Sequence, residues 1–376
     1  MLISKEVLLE FDILDNEKYI YNLDKAKLID VLLDFPNQFK KAEKIIKDLK
    51  IKFRDDYKNV AVFGAGNPST VAFKLIESSD INKFKLPVVF CTSSKIPAWV
   101  TRDTLIIAVS HSGDTLEVLE AVDKAAEKGI EIVAITTGGR LKEKASAGNK
   151  IKLIEYSAPL LPRMAVGYIY VLLVDVLASV KAIGISGIDK DRPFGLNWDD
   201  VENELFQFTR ELIPENKIYK NTAKKIAINL YDKIPIIYGI NKITGAIAYR
   251  LKTQLCTVSK IFAHYNTLPE IYHDEIVGWE MRPELREKFF ALFITDKSEP
   301  GINKKRTELL KGIFIEKDID FEEIAIEGSN DVVKGFKGIF LADWISLYLA
   351  ILNRVDPNAI TLVDVIKKRL EQIDKT

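Results

Sequence analysis

The chain has 376 residues, 47% of them apolar, and its 54 basic and 54 acidic side chains cancel. That length and apolar content fit two α/β units with a sizeable core and exclude wholesale disorder. The balanced charge argues against a nucleic-acid or membrane-surface protein, which carries a basic excess. Cys91 and Cys256 lie far apart without metal-ligand spacing and read as buried reduced thiols. Three histidines, His111, His264 and His273, are too few for a histidine-rich metal site, so neither metal nor cofactor is expected. No apolar stretch is expected to reach transmembrane length, and Met1–Asn16 carries four acidic residues, unlike a signal peptide. The expectation is a cytoplasmic protein with no membrane or nucleic-acid partner.

In chain order, residues 1–50 read as a helical segment, with apolar spacing through Leu28, Val31 and Leu32 and again through Ile45, Ile46 and Leu49. "KNVAVFGAGNPSTVAFKLI" (58–76) is a strand, Val60 to Phe63, a Gly-x-Gly turn, and a helix that Ser69 or Thr70 is placed to cap. "TLIIAVSHSGDTLEVLEAV" (104–122) and "IEIVAITTGGRLKEKA" (130–145) repeat the strand–turn–helix order, which predicts a parallel sheet. A long apolar helix, roughly Met164 to Ile183, closes this unit, residues 51–184. The Gly-, Asp- and Pro-rich run 184–199 is the best linker, and a helix through Val201–Leu212 belongs to a connecting segment, 185–225.

The pattern restarts in a second unit, 226–376. "KIPIIYGINKITGAIAYRLKTQL" (233–255) resembles residues 58–76, "KFFALFITD" (288–296) and "FEEIAIEG" (321–328) add strands, and the chain ends in helices Val332–Leu352 and Thr361–Ile373. A diverged internal duplication follows, in which the second copy lacks the hydroxyl cluster of the first.

That cluster is the strongest chemical signal. Ser110, Ser112 and Thr115 surround Gly113 between a strand and a helix, where unpaired N–H groups and the positive end of the helix dipole favour a phosphate. One serine suffices to cap a helix. No lysine sits in the turn, which excludes a Walker-type loop, and a compact phosphate monoester is the better guest. Gly64-x-Gly66 lacks the third glycine of a dinucleotide site and reads as a second ligand-facing turn.

"SHSGDT" after a strand resembles the signature of the sugar isomerase (SIS) domain, and "AITTGGRL" (134–141), "LPRMAVGY" (161–168) and "LPEIYHDEIVGWE" (268–280) look like the archaeal-type bifunctional phosphoglucose/phosphomannose isomerases. The resemblance runs from about residue 58 to the C-terminus. It implies two SIS-type three-layer αβα sandwich domains with parallel sheets, preceded by the N-terminal helices. It also implies a homodimer and an aldose–ketose isomerase that acts on hexose 6-phosphates through a cis-enediolate.

By that resemblance Ser110, Ser112 and Thr115 hold the substrate phosphate, and Arg163 faces the enediolate. His273, donated by the neighbouring subunit, and Lys367 serve ring opening, while Gly66, Ser69 and Thr257 fall at substrate-binding positions. Three departures concern the chemistry. Thr257 stands where the family carries its general-base glutamate, sixteen residues before His273, and a threonine is no base near neutral pH. Asn67 and Pro68 replace the family's Gly-Ser, with Ser69 one position late, and Asp274 replaces an asparagine. Either another group, Glu270, His264 or Glu275, supplies the base, or the chain binds a phosphosugar with altered or regulatory function.

Overall fold

The computed structural model describes residues 11–49, 51–78, 84–147, 151–158, 160–184, 197–240, 243–299 and 301–373. Most of the expected linker, 184–199, lies outside them. The chain opens with α1 (Glu17–Leu23), α2 (Leu28–Asp34) and α3 (Gln38–Asp48). The first α/β unit follows as β1 (Asn59–Gly64), α4 (Asn67–Ser78), β2 (Val88–Cys91), β3 (Thr104–Val109), α5 (Leu116–Glu127), β4 (Glu131–Thr136), α6 (Gly139–Ser146), β5 (Ile151–Glu155) and α7 (Val166–Ser179). After α8 (Trp198–Leu212) and α9 (Thr222–Asn229) come β6 (Ile234–Ile240), α10 (Ile243–Gln254), β7 (His264–Leu268), α11 (Glu275–Gly278), α12 (Pro283–Arg286) and β8 (Phe289–Asp296). The chain then runs through α13 (Ile302–Glu316), β9 (Phe321–Ile326), α14 (Asp331–Leu352) and α15 (Thr361–Ile373).

Both sheets are parallel throughout, in the orders β2-β1-β3-β4-β5 and β7-β6-β8-β9. The orders correspond strand for strand until β5, which has no counterpart in the second sheet. β3 is central, and all six of its residues are buried because helices cover both faces. Alternation divides those residues. Ile106 and Ala108 join Ala61, Phe63, Ile132 and Ala134 under α5 and α6, while Leu105, Ile107 and Val109 point into the main core.

The main core lies between the two sheets. The second sheet contributes Ile237, Leu292 and Ile294 to it, and sends Ile236, Tyr238 and Phe293 to the opposite face, against Leu310 and Phe314 of α13. Through the middle runs α14, with 19 of its 22 residues buried. By length and hydropathy this helix is apolar enough to cross a membrane, which corrects the expectation that no such stretch exists. Its burial against α9, α10 and α8 gives its apolar character a different use, each large side chain contributing roughly 1.5–3 kcal/mol. The N-terminal helices dock by aromatics: Phe35 and Phe39 pack on Phe336 and Phe340, and Trp198 stacks on Phe39.

Local expectations shift in two places. The long apolar helix is α7, shorter at both ends than Met164–Ile183, because a 3-10 turn occupies Pro162–Met164 and the chain turns at Lys181 (φ 57°). Ser69 lies inside the first turn of α4 and bonds back to the Ala65 carbonyl (3.2 Å), so it does not cap that helix.

Asp175 sits in α7 among buried neighbours, and burial alone pushes its carboxyl from 3.8 up to about 6. The folded chain therefore holds the proton more tightly than the unfolded chain, and stability is lost as pH rises through about 6. Asp175→Asn is expected to melt above wild type at neutral pH by the equivalent of roughly 2 kcal/mol. The gap should widen from about pH 4 to pH 7 in thermal melts.

Candidate functional site

The turn after β3 is held from within. Ser110 Oγ accepts from the Gly113 N–H (3.1 Å) and lies 2.8 Å from Thr115 Oγ1, and Ser112 Oγ accepts from the Asp114 N–H (3.2 Å). Thr115 is the N-cap residue of α5, yet no side chain caps that helix end. The hydroxyls therefore do not satisfy the helix, and its first N–H groups stay available to an anion. When Ser110 donates to Thr115, the chain Gly113 N–H, Ser110 hydroxyl, Thr115 hydroxyl leaves the Thr115 proton free for a ligand. Ser110 is buried, Thr115 half-buried and Ser112 exposed, so the cluster opens outward at Ser112.

A second turn locks the first. Gly113 (φ 76°) and Gly139 (φ 63°) face each other, and a Cβ on either would collide with the backbone of the other turn, at Gly138 or at Ser112. Leu141 N–H donates to the Gly113 carbonyl (3.0 Å) and Thr137 N–H to the His111 carbonyl (3.1 Å). Asp114 Oδ1 accepts from both the backbone N–H and the Nε–H of Arg140 (3.2 Å each), which neutralises an acid beside the proposed anion site. The "SHSGDT" and "TTGGR" motifs are two halves of one structure.

Arg163, in the Pro162–Met164 turn, is 7% exposed. Its Nη2 donates to the Pro357 carbonyl (3.1 Å) and to Asn358 Oδ1 (3.4 Å), while its Nε is buried without a partner among the described residues. Burial and the nearby Arg250 pull its pKa down to about 10, with Asp343 and Asp356 opposing, so the guanidinium stays charged near neutral pH. A cation taken out of water with one donor unspent is primed for an anionic ligand.

Behind it lies a fully buried fork. Arg250 donates through Nε and Nη2 to the two oxygens of Asp343 (2.7 and 2.8 Å), and through Nη1 to Asn67 Oδ1 (2.9 Å) and the Arg163 carbonyl (2.8 Å). Burial pushes the Asp343 carboxyl up, and Arg250, Gln254 and Arg163 pull against it. Asn67 also donates to Thr253 Oγ1 (2.7 Å). The residue that departs from the family's glycine turn thus fastens the first unit to α10.

The remaining predicted residues divide. Gly66 (φ 81°) has open space where a Cβ would stand, whereas Ser69 is 2% exposed with its hydroxyl turned inward. Thr257 lies in a π-helical segment, Leu255–Ser259, and donates to the Thr253 carbonyl (2.8 Å). The Lys260 ammonium donates to the Thr257 carbonyl (2.6 Å), and burial and Arg163 lower its pKa, which brings Thr257, Lys260 and Arg163 into one neighbourhood. His273 is exposed on the corner that follows the Glu270–Tyr272 turn, and Glu270 is exposed beside it. His264 and Glu275 meet: Glu275 Oε2 lies 3.1 Å from His264 Nε2 and accepts from Asn266 Nδ2 (2.6 Å). Lys367 falls in α15, but its side chain lies outside the described residues.

The second sheet offers a cavity of about 440 Å³ at the corresponding place, past the C-terminal ends of β6, β8 and β9. By the strand register Thr295 stands there where the first sheet has Ser110, followed by Asp296, with Glu299, Glu308 and Glu323 also in its wall. Four carboxylates against two lining lysines, Lys297 and Lys304, make it a poor phosphate site. Arg250 and Asp343 escaped sequence reading, and Asn67 stood out there only as a departure in the glycine turn. The available signal was an acid in the middle of an apolar helix, which demands a buried cation.

Residues 219–370 match the model of the bacterial phospho-glucose isomerase C-terminal SIS domain, and residues 93–156 match the SIS domain. A bifunctional phosphoglucose/phosphomannose isomerase of Caldicellulosiruptor bescii is 32% identical over 347 residues, 92% of this chain and 99% of that protein. A D-glucosamine-6-phosphate 4-epimerase of Sulfolobus acidocaldarius is 28% identical over 58% of this chain and 62% of its own. In fold, a hypothetical protein from Thermus thermophilus is similar with a TM-score of 0.71, at 12% identity, over 98% of this chain and 97% of that one.

Asp343→Asn strands the Arg250 charge in the core and is expected to cost about 3–5 kcal/mol in chemical denaturation. The double variant Arg250→Met/Asp343→Leu should be more stable than Asp343→Asn alone, because it removes both charges.

Proposed function

The chain belongs to the SIS/phosphosugar-isomerase superfamily, among the relatives of the bifunctional phosphoglucose/phosphomannose isomerases, and on that premise we propose that it interconverts hexose 6-phosphates, glucose or mannose 6-phosphate with fructose 6-phosphate. The observation that carries this reading is the buried Arg163 guanidinium with an unspent Nε–H, in the same unit as a turn of hydroxyls that leave a helix N-terminus uncapped. The turn of Ser110, Ser112 and Thr115 holds the phosphate, a remote group whose binding orients the reacting carbons. A base takes the C2 proton of the open-chain aldose, and the electron pair passes through the C1–C2 bond to O1, giving the cis-enediolate. The proton returns to C1 as the O2 proton passes to O1, leaving the ketose. Arg163 stabilises the negative charge, which exists only in the intermediate and the flanking transition states.

Thr257 spends its hydroxyl on the Thr253 carbonyl, so the base falls elsewhere. The Glu275–His264 pair is the acid–base couple that the second unit assembles, and it takes that role in this reading. His273, exposed on one copy, acts in the neighbouring copy of a homodimer. Exposed apolar residues of α15, Leu362 at 79% and Ile366 at 57%, support such pairing. A second reading rests on Thr257 itself: the phosphosugar is bound, but C2 is not isomerised.

Fructose 6-phosphate incubated with the protein in deuterium oxide is expected to yield glucose or mannose 6-phosphate labelled at C2. Arg163→Ala should lower kcat by roughly a hundredfold or more. Tight binding without product or label establishes the second reading instead. Ser112→Ala/Thr115→Ala should weaken fructose 6-phosphate binding about tenfold or more by calorimetry, and unchanged binding would place the phosphate elsewhere.

A further inference from the structure

One residue of the hydroxyl turn is used by none of these roles. His111 stands between Ser110 and Ser112, and its carbonyl is gripped by Thr137 through both the N–H (3.1 Å) and the hydroxyl (2.6 Å). Its ring leaves the turn. Nδ1 lies 2.9 Å from the Tyr156 hydroxyl, and the two rings meet edge to face with centroids 5.7 Å apart. Tyr156, 1% exposed just past β5, stacks in turn on Tyr168 of α7 at 5.3 Å. Leu160, whose backbone opposes the effect of burial on the ring's pKa, lies three residues before Arg163.

We propose that His111 is a positioning residue for the isomerisation, a clamp that sets the spacing between the phosphate-holding turn and Arg163 through its hydrogen bond to Tyr156. The inference rests on the isomerase reading above. A buried phenol is best satisfied by donating its proton, which makes Nδ1 the acceptor, puts the ring proton on Nε2 and keeps the imidazole neutral. Burial lowers the ring's pKa, in keeping with the neutral form.

The need for such a clamp follows from the size of the substrate. The turn fixes the phosphate on C6, and the charge to be stabilised forms at the other end, on O1 and O2. Any error in the distance between turn and guanidinium therefore appears whole at the reacting carbons. Other ties of the Arg163 segment run to Pro357, Asn358 and Arg250 in the second half of the chain and, from the Met164 carbonyl, to Gln38 Nε2 (2.8 Å). His111 supplies a tie that starts from the phosphate-holding turn itself. A displaced Arg163 leaves phosphate binding intact and raises the barrier.

Steady-state kinetics on fructose 6-phosphate, with thermal midpoints measured alongside, test the clamp. Tyr156→Phe and His111→Phe are each expected to lower kcat roughly tenfold with KM within about twofold, and the double variant should be no slower than the slower single variant. His111→Asn, whose Oδ1 takes the place of Nδ1 as acceptor, should recover most of the lost kcat. An unchanged kcat in Tyr156→Phe, a rise in KM at constant kcat, or an Asn variant no better than Phe overturns the clamp. If the wild type turns over no substrate, the isomerase reading fails and binding decides the clamp separately. The probes are inorganic phosphate and 5-phosphoarabinonate, whose carboxylate mimics the enediolate. The clamp requires equal phosphate binding in all variants and about tenfold weaker 5-phosphoarabinonate binding in the two Phe variants, and equal binding of both overturns it.

Discussion

The molecule is organised around one desolvated ion pair. Arg250 and Asp343 are both fully buried and meet as a two-bonded fork between α10 and α14. Two charges in a core stabilise it little against a well-packed apolar pair, because desolvation offsets most of their attraction. What the fork supplies is direction. A guanidinium has five N–H donors in a rigid plane, and those that Asp343 leaves over reach Asn67 at the start of α4 and the carbonyl of Arg163. One side chain of the second unit thereby fixes the place of two segments of the first, and both border the proposed site.

The same economy explains Asn67. Its family counterpart is a glycine, which opens a turn to a ligand, and an unanchored side chain there would close that opening. Here the amide bridges, accepting from Arg250 and donating to Thr253, so the turn is fastened to α10 while Gly66 beside it retains the left-handed conformation and the open space. Thr253 in turn accepts from Asn67 and receives Thr257 on its carbonyl. Two of the departures from the family pattern, at Asn67 and at Thr257, are joined through this one residue. They read as a single rearrangement of the wall between the units.

Periodicity revealed the elements that alternation and helical spacing make visible. β1, β3, β4, β6, β8, β9 and α14 stand close to their expected bounds, because each buries an apolar face, and α15 does so by helical spacing alone, with its apolar residues exposed. Short edge strands carried no such signal. β2, β5 and β7 have half-buried residues, and none of the three is among the expected strands. In the site, Ser110, Ser112 and Thr115 were legible as a cluster because they are adjacent in sequence. The Arg250–Asp343 fork spans 93 residues, and the pairing of His264 with Glu275 depends on a turn folding back along β7, which no local pattern encodes.

The two sheets share an order and differ in what their C-terminal edges can hold. In the first, a serine follows the central strand, a glycine lets the backbone close, and the nearest acid, Asp114, is neutralised by Arg140. In the second, Thr295 takes the serine's place and the acid Asp296 follows it, spent on Lys334 (3.1 Å) and Ser298. An anion entering there would have to displace a carboxylate from its cation and then face three more. Two scaffolds of one strand order thus carry one hydroxyl cluster between them. The second scaffold turned its chemistry toward the interface instead, lending Arg250, Thr257 and Lys260 to the neighbourhood of Arg163. A half without a hydroxyl cluster of its own is free to shape the surroundings of the buried cation in the other.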